Sequence, residues 1–368
     1  MTAPKISFVI INHNYGQYVG QAISSVLSQD YAELECVVLD NASTDDSRDV
    51  IARFENTDPR LAFEYLDDNL HQMGAFLHVL DRLAGELVCI VDADDFLFAN
   101  FAAFHAQLHC DCPTIGATSA GVLETDHAGR PLSSGFAWLL HRKVGSPLDP
   151  DRSHSDHMIL GRRERELLGQ QSTVIEPHEA GWHWSPGTAN VYKRHYLVRC
   201  KPSLAVVGNA ATDNYFMPFV HALAGSACID LPLSAYRIHG GNVHGAQPSL
   251  PNLRTFSKAA HQRSRVRRSA MVRELASRAR DFVSTHGHAF WTLMDAPSVP
   301  DGISLKAYFN DPAIQDILAD HFDEILAACG EAETREALRA RMGRKGYKQF
   351  LALQGQRKSR PDSRADGG

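Results

Sequence analysis

The sequence predicts an α/β protein: a mixed, mainly parallel sheet flanked by helices, with a helical extension behind it. Three observations carry that prediction. In the first hundred residues, apolar runs of strand length alternate with stretches of helical spacing, the pattern of a parallel sheet covered on both faces. Polar clusters follow three of those runs at their carboxyl ends, where open α/β sheets bind ligands. Beyond about residue 245 the strand pattern stops and the chain reads as helical.

Residues 6–11 form a continuous apolar strand, followed by Asn12 and Asn14. Residues 18–27 have helical spacing, with Tyr18, Ala22 and Val26 on one stripe. Residues 35–39 are a second strand ending at Asp40 and Asn41, and turn-forming residues 41–46 lead into a helix from 47 to about 54. Residues 61–66 read as a third strand and 74–83 as a second long helix. Residues 87–91 form a fourth strand that runs into Asp92-Ala93-Asp94-Asp95. Residues 101–191 are less regular and end in a strand at 189–192. A helix from 211 to 224 and a short apolar strand before Ala235 follow. Domain boundaries are expected at 1–245 for the α/β domain and 246–353 for the helical region, with a disordered tail at 354–368.

At 368 residues with 44% hydrophobic and 22% charged residues, the chain has the make-up of a globular protein. A net charge of −6 argues against a whole-molecule polyanion binder, and no nucleic-acid partner is expected. Seven scattered cysteines, an odd number, point to reduced thiols. No leader precedes the first strand and no apolar run is long enough to span a bilayer. A cytoplasmic protein is expected, with peripheral contact at the inner membrane face as a variant. That variant comes from residues 254–280 (Arg254 to Arg280), where nine basic residues face one acid, Glu274. A basic helix face packed on acidic parts of the same chain comes first, attraction to anionic lipid second and nucleic acid third.

Carboxylates crowded at a strand end repel one another and lose hydration, which is costly unless a cation sits among them. Hard oxygen ligands suit Mg²⁺ or Mn²⁺, bound through one or two carboxylates plus a substrate's phosphates. The competing reading of Asp92 to Asp95 is a solvated acidic turn. Trp182-His183-Trp184 and Thr188 lie in a turn-rich loop that is either a packing pin or a platform for a sugar acceptor. Asp213 is either an acid placed by a helix dipole or a functional carboxylate. Arg237 and His239, before Gly240-Gly241-Asn242, form either a surface turn or a phosphate contact.

Taken in order, five segments resemble glycosyltransferase family 2. They are 7–18, 37–45, Ala84-Gly85-Glu86 with 90–95, Thr212-Asp213, and 236–242. The resemblance covers roughly residues 5–245. It implies the GT-A fold, a Rossmann-like mixed sheet, and an inverting enzyme using a nucleotide-diphospho-sugar. On that resemblance Asp40 contacts the base with Asn12, Asn14 and Asn41 near it, and Asp92 and Ala93 lie toward the ribose. Asp94 holds the metal with His239 as a further ligand, Arg237 sits over the diphosphate, and Asp213 is the catalytic base. Two positions depart from the family. Phe76-Leu77 stand where it carries an Arg-Asn pair, so a positive contact is absent or comes from His71 or His78. Thr212 stands where it carries a Glu.

The leading expectation is a hexosyl- or deoxyhexosyltransferase requiring Mg²⁺ or Mn²⁺, with a glycan or lipid-linked acceptor, in cell-surface polysaccharide or glycoconjugate synthesis. The alternative is a non-catalytic nucleotide-sugar-binding GT-A module. A dinucleotide enzyme is disfavoured, because Asn12-His13-Asn14-Tyr15-Gly16 replaces the Gly-rich turn after the first strand.

Overall fold

The computed structural model describes residues 3–134, 146–147, 158–177, 179, 181–202, 211–239 and 258–358. The chain divides into two compact units, Met1–His261 and Gln262–Gly368.

In the first unit, β1 (Ile6–Asn12), β2 (Leu34–Asn41), β3 (Leu61–Leu66) and β4 (Leu87–Asp92) pair in parallel in the order β3-β2-β1-β4. Helices α1 (Gly16–Leu27), α2 (Ser47–Ala52) and α3 (His71–Leu80) make the connections. Beyond β4 the sheet turns mixed. β10 (Asn190–Lys193) lies antiparallel between β4 and β6 (Ala117–Thr125), and β11 (Ser226–Arg237) runs parallel to β6. β5 (Phe96–Leu97), β7 (Pro131–Ser134), β8 (Ser146–Pro147) and β9 (Ser172–Ile175) complete the eleven strands seen among the described residues. The mixed, mainly parallel sheet flanked by helices is the architecture expected for GT-A.

Burial explains why the early strands read as unbroken apolar runs. Ile6, Phe8, Ile10, Cys36, Val38, Cys89 and Val91 are buried together with Val19, Ile23 and Val26 of α1. α4 (Phe101–Asp111) adds Phe101 and Phe104 to that core, and α5 (Arg162–Gln170) and α6 (Arg194–Arg199) follow in the same unit.

Some boundaries differ from the sequence expectation. Helix α1 starts at Gly16 because its backbone N–H donates to Asp45 Oδ2 at 2.9 Å. A side chain at Gly16 would meet Asp46 Oδ1 at 2.1 Å, so only glycine fits there. Helix α3 starts at His71 rather than Gly74 and stops at Leu80. The Asn41 and Asn69 carboxamide oxygens accept from Leu70 N (2.9 Å) and His71 N (2.8 Å), setting the turn that launches it. Ala235 to Arg237 belong to β11 rather than following it.

The second unit is helical: α8 (Lys258–Ser277) runs into it, followed by α9 (Ala279–His286), α10 (Phe290–Asp295), α11 (Leu305–Phe309), α12 (Pro312–Asp320) and α13 (Phe322–Cys329). The last element, α14 (Glu331–Lys358), changes direction at Gly343, whose φ is 74°. Its helix carries through 354–358, where the sequence reading began a tail; 359–368 lie outside the described residues. Arg267 and Arg268 both pair with Asp301, the first at 2.6 Å, and both are buried. Arg265 pairs with Asp311 and Arg278 with Glu274 and Asp281, so at least four of the nine basic residues in the 254–280 segment meet acids inside this unit, while Arg254 lies outside the described residues. Arg341 grips Asp295 with two bonds of 2.6 and 2.9 Å.

Candidate active site

At the exits of β1 and β2, polar side chains bind one another across the sheet. Asn12, fully buried, donates from Nδ2 to Asp40 Oδ1 at 3.2 Å and to Ser43 Oγ at 3.0 Å. Asp40 is 1% exposed, and its Oδ2 takes the Arg48 Nε at 2.8 Å and the Ser43 N–H at 3.2 Å. Arg48 lies over the Tyr65 ring and donates to the Leu66 carbonyl at 2.9 Å. Asn14 takes a left-handed backbone (φ 61°), and its Oδ1 accepts the Thr44 N–H at 2.7 Å. Asn41, also buried, donates to Asn69 Oδ1 at 2.9 Å.

At the exit of β4 the chemistry is different. Arg237 lies under the Asp92–Asp95 turn and is 1% exposed. Its backbone N–H donates to Asp95 Oδ1 (2.9 Å) and its Nε to the Asp94 carbonyl (2.7 Å). Its remaining nitrogens donate to the His127 carbonyl (2.7 Å) and Gln21 Oε1 (2.6 Å), with the guanidinium stacked over Tyr18. His239 Nε2 stands 2.9 Å from Asp94 Oδ2, with Tyr15 and Tyr18 packed around its ring. Burial, followed by the charges of Asp94, Asp92 and Asp95, pushes the Tyr15 hydroxyl up to about 12.

A third element closes this group. The loop 186–188, just before β10, places Thr188 so that its hydroxyl donates to Asp95 Oδ2 at 2.7 Å and accepts the Asp92 N–H at 3.0 Å. One residue earlier, the Gly187 N–H donates to Asp213 Oδ2 at 3.1 Å, on the first turn of α7 (Thr212–Ala224). A Cβ on Gly187 would lie 2.4 Å from Asp92 Oδ2. Gly187 thus sits between the Asp92 and Asp213 carboxylates. Asp213 Oδ1 accepts the Asn214 N–H at 2.6 Å.

The electrostatics follow from this crowding. Burial first, then the charges of Asp94 and Asp213, raise the Asp92 carboxyl well above its usual range, against a hydrogen bond from Gln72. Burial, then Asp94 and Asp92, raise Asp95 in the same way, opposed by Arg237 and Thr188. Burial and Asp213 push Tyr192 up as well. Four carboxyl groups thus crowd one turn and its facing loop, with the buried Arg237 guanidinium beneath and the His239 imidazole beside them.

That donor set fits a divalent cation brought in with a diphosphate. No group of three or more His, Cys, Asp or Glu side chains among the described residues encloses a metal ion. A hard cation carrying phosphate oxygens needs only one or two protein ligands, which the Asp94–His239 pair would be able to supply.

The sequence-predicted residues fall into two groups. Asp92, Asp94, Asp213, Arg237 and His239 are brought together, with Asn12, Asn14, Asp40 and Asn41 clustered at the neighbouring strand ends. Ala93 packs into the core, so only its backbone is available to a ligand. Arg237 directs its guanidinium to protein carbonyls and Gln21, under the acidic turn. Thr188, expected on an acceptor platform, is 2% exposed and bound to the acidic turn instead. Trp182 packs edge-on against the fully buried Trp184 and donates to its carbonyl, and the His183 ring leans on Trp184 too. Of the two histidines expected to replace the Arg-Asn pair, His78 pairs with Glu64 and His71 is exposed. Gln72, which the sequence reading did not single out, is the residue that reaches Asp92, at 2.7 Å. Arg48 and Gly187 were also missed.

The strand exits thus gather an asparagine-aspartate cluster beside an acidic turn. Residues 7–134 match the sequence profile of glycosyl transferase family 2. It is 42% identical over 241 residues to the uncharacterized glycosyltransferase alr2836 of Nostoc sp., covering 65% of this chain and 66% of that protein. It is 33% identical over 99 residues to the GalNAc(5)-diNAcBac-PP-undecaprenol beta-1,3-glucosyltransferase of Campylobacter jejuni, covering 26% of this chain and 32% of that one. The matches thus span less than two thirds of these relatives' lengths. Among solved structures, S. aureus TarS 1-349 in complex with UDP aligns with a TM-score of 0.48 at 14% identity, over 96% of this chain and 91% of that one. Among the described residues no helix is long and apolar enough to cross a membrane.

Proposed function

We propose that this chain is an inverting, metal-dependent glycosyltransferase. It moves a hexosyl or deoxyhexosyl unit from a nucleotide-diphospho-sugar to a hydroxyl of a glycan or lipid-linked acceptor, in the synthesis of a cell-surface polysaccharide or glycoconjugate. The family match and the lipid-linked acceptor in the name of the Campylobacter relative support the substrate classes. One observation carries the mechanism: Asp213 and Asp92 face each other across Gly187, and the Asp94–His239 pair lies on the same turn as Asp92.

Asp213 acts as general base. Backbone N–H groups of Gly187 and Asn214 fix its two oxygens, leaving lone pairs to accept the proton of the attacking hydroxyl. A sugar hydroxyl is a poor nucleophile, and such assistance contributes about 10²–10⁴ in rate. Asp92 orients the ribose end of the donor, and the Asp40 cluster orients the base. Asp94 and His239 would hold the cation, which would supply positive charge for a nucleoside diphosphate leaving group. Arg237 holds the acidic turn from beneath. A peripheral membrane contact through 254–280 rests on its exposed basic residues, since Arg267 and Arg268 are spent on Asp301; salt-sensitive sedimentation with anionic vesicles tests it.

The main test is a thermal-shift panel of nucleoside diphosphates and nucleotide sugars with and without Mn²⁺, because a ligand that binds only the folded state raises its melting temperature. A cation-dependent rise that Asp94→Asn abolishes is expected. A panel in which no nucleotide shifts the transition removes the reading. For the hit donor, NMR of the product anomer should show inversion.

A further inference from the structure

We propose that Gln72 is a positioning residue that fixes the spacing between the donor-side carboxylate, Asp92, and the base, Asp213; the inference rests on the reading just given. Its carboxamide is used at both ends. Nε2 donates to Asp92 Oδ1 at 2.7 Å, while Oε1 accepts the Thr212 N–H at 3.1 Å and its hydroxyl at 3.3 Å. Thr212 is 1% exposed and opens the helix whose next residue is Asp213. The first N–H groups of a helix have no partner within it, so an acceptor there fixes where the helix begins. One planar amide, rigid between its two ends, thereby joins the Asp92 turn and the start of α7 to a single reference, although Thr212 lies 140 residues from Gln72.

The departure at Phe76 explains why an amide does this. Phe76 lies one turn beyond Gln72, on the same face of α3. It is fully buried and packs edge-on against Phe216 of α7, with ring centroids 5.6 Å apart. The apolar pair clamps the two helices, and the amide at the polar end of that seam sets the register of their termini. A neutral amide also orients Asp92 without cancelling the negative charge that a cation-diphosphate complex needs. A purely structural cap for α7 would need only the Oε1 bonds; the short bond to Asp92 ties the cap to the site.

Two variants separate the bonds. Gln72→Met keeps the volume and loses both, whereas Gln72→Glu keeps an acceptor for Thr212 but loses the donor to Asp92, and serves as well if the Met variant does not fold. Two readouts are needed. The first is amide hydrogen exchange over 211–216 in the ligand-free protein. The second is kcat and KM for nucleoside diphosphate release from the donor that stabilises the wild type. In Gln72→Met, exchange over 211–216 should rise about tenfold with the global melting temperature little changed. Its kcat should fall about 10–100-fold with KM within about threefold. Gln72→Glu should keep the exchange protection and lose kcat. Unchanged exchange in Gln72→Met, or a raised KM at unchanged kcat, overturns the proposal. A wild type inert toward every nucleotide sugar sinks the glycosyltransferase reading, and the exchange result alone then decides whether Gln72 ties the two segments.

Discussion

The carboxyl ends of β2 and β4 lie on the same side of one sheet and each carries an aspartate, yet their surroundings are opposite. Around Asp40 the charge is matched: Arg48 forms a salt bridge, Asn12 and the Ser43 N–H supply neutral donors, and the carboxylate is closed off from solvent. Around Asp92 three further carboxylates gather, and their support comes from neutral donors and one imidazole. Crowding like charges in partial burial costs several kcal/mol relative to a paired arrangement. A fold bears that cost locally where function needs it. On the proposed function, the matched cluster would shape nucleotide recognition and the other would be where a cation and the reacting groups assemble.

The sharpest way to break the comparison is to remove one member of the unmatched group. Asp213→Asn retains the hydrogen-bond geometry to Gly187 but loses the proton acceptor. Nucleoside diphosphate release should fall about 10²–10⁴-fold, with nucleotide-induced thermal shifts preserved. Equal turnover by variant and wild type would mean that Asp213 is not the base, whereas no turnover by either, with the thermal shifts kept, would leave the non-catalytic binding module as the better account.

Next in size is Gly187→Ala. Its Cβ would press on Asp92 Oδ2 at 2.4 Å and push apart the two carboxylates that the loop separates. Because Gln72 restrains Asp92, the strain moves to the loop and to Asp213. A shift of about 1 Å at reacting groups costs on the order of 10²-fold in turnover. If Gly187→Ala turns over donor at the wild-type rate, the spacing across this loop does not matter.

Why these residues escaped the sequence reading, while others did not, has a physical explanation. The parallel half of the sheet was legible because strands buried on both faces must be apolar throughout, as Ile6 to Ile11 and Leu87 to Val91 are. The three polar clusters were legible because a strand's carboxyl end is fixed by where the apolar run stops. Gln72 was not, because the helix was started at Gly74. The true start depends on Asn41 and Asn69 carboxamides, one of them 29 residues distant from the N–H it binds. Gly187 was hidden in a tryptophan-rich loop whose neighbours, Asp92 and Asp213, are distant in sequence. Arg237 looked like a phosphate contact because its type suits one. Only the pairing of β11 with β6 and β5 shows that it lies beneath the turn and not above it. Local pattern reveals elements; contacts closed over a hundred residues decide which side chains meet.

On the matched side the effects should be on stability. Arg48→Leu keeps apolar contact with Tyr65 but strips Asp40 of its only salt-bridge partner among the described residues. Since the arginine side chain is 46% exposed, the loss is discounted from the full cost of a buried broken pair to about 1–2 kcal/mol. A lowered urea midpoint, relieved in Arg48→Leu/Asp40→Asn, is the expected outcome. Variants that unfold at the wild-type midpoint would show that Asp40 is satisfied by Asn12 and Ser43 alone.

The smallest effect belongs to Asp45, at the edge of the same cluster. Burial is the largest single influence and raises its carboxyl, but hydrogen bonds from Ser47 and Gly16 together outweigh it and hold the group below the ordinary value. A carboxyl depressed in the folded state binds fewer protons than in the unfolded chain. Its contribution is present above the unfolded value of about 3.9 and is lost as pH falls through the depressed one. Because the group is largely solvated, less than about 1 kcal/mol is at stake. Urea midpoints taken from pH 5 down to pH 3 should fall slightly less steeply for Asp45→Asn than for the wild type. Parallel slopes would mean that the start of α1 is fixed by the tight packing of Gly16 alone, and that the matched cluster ends at Asp40.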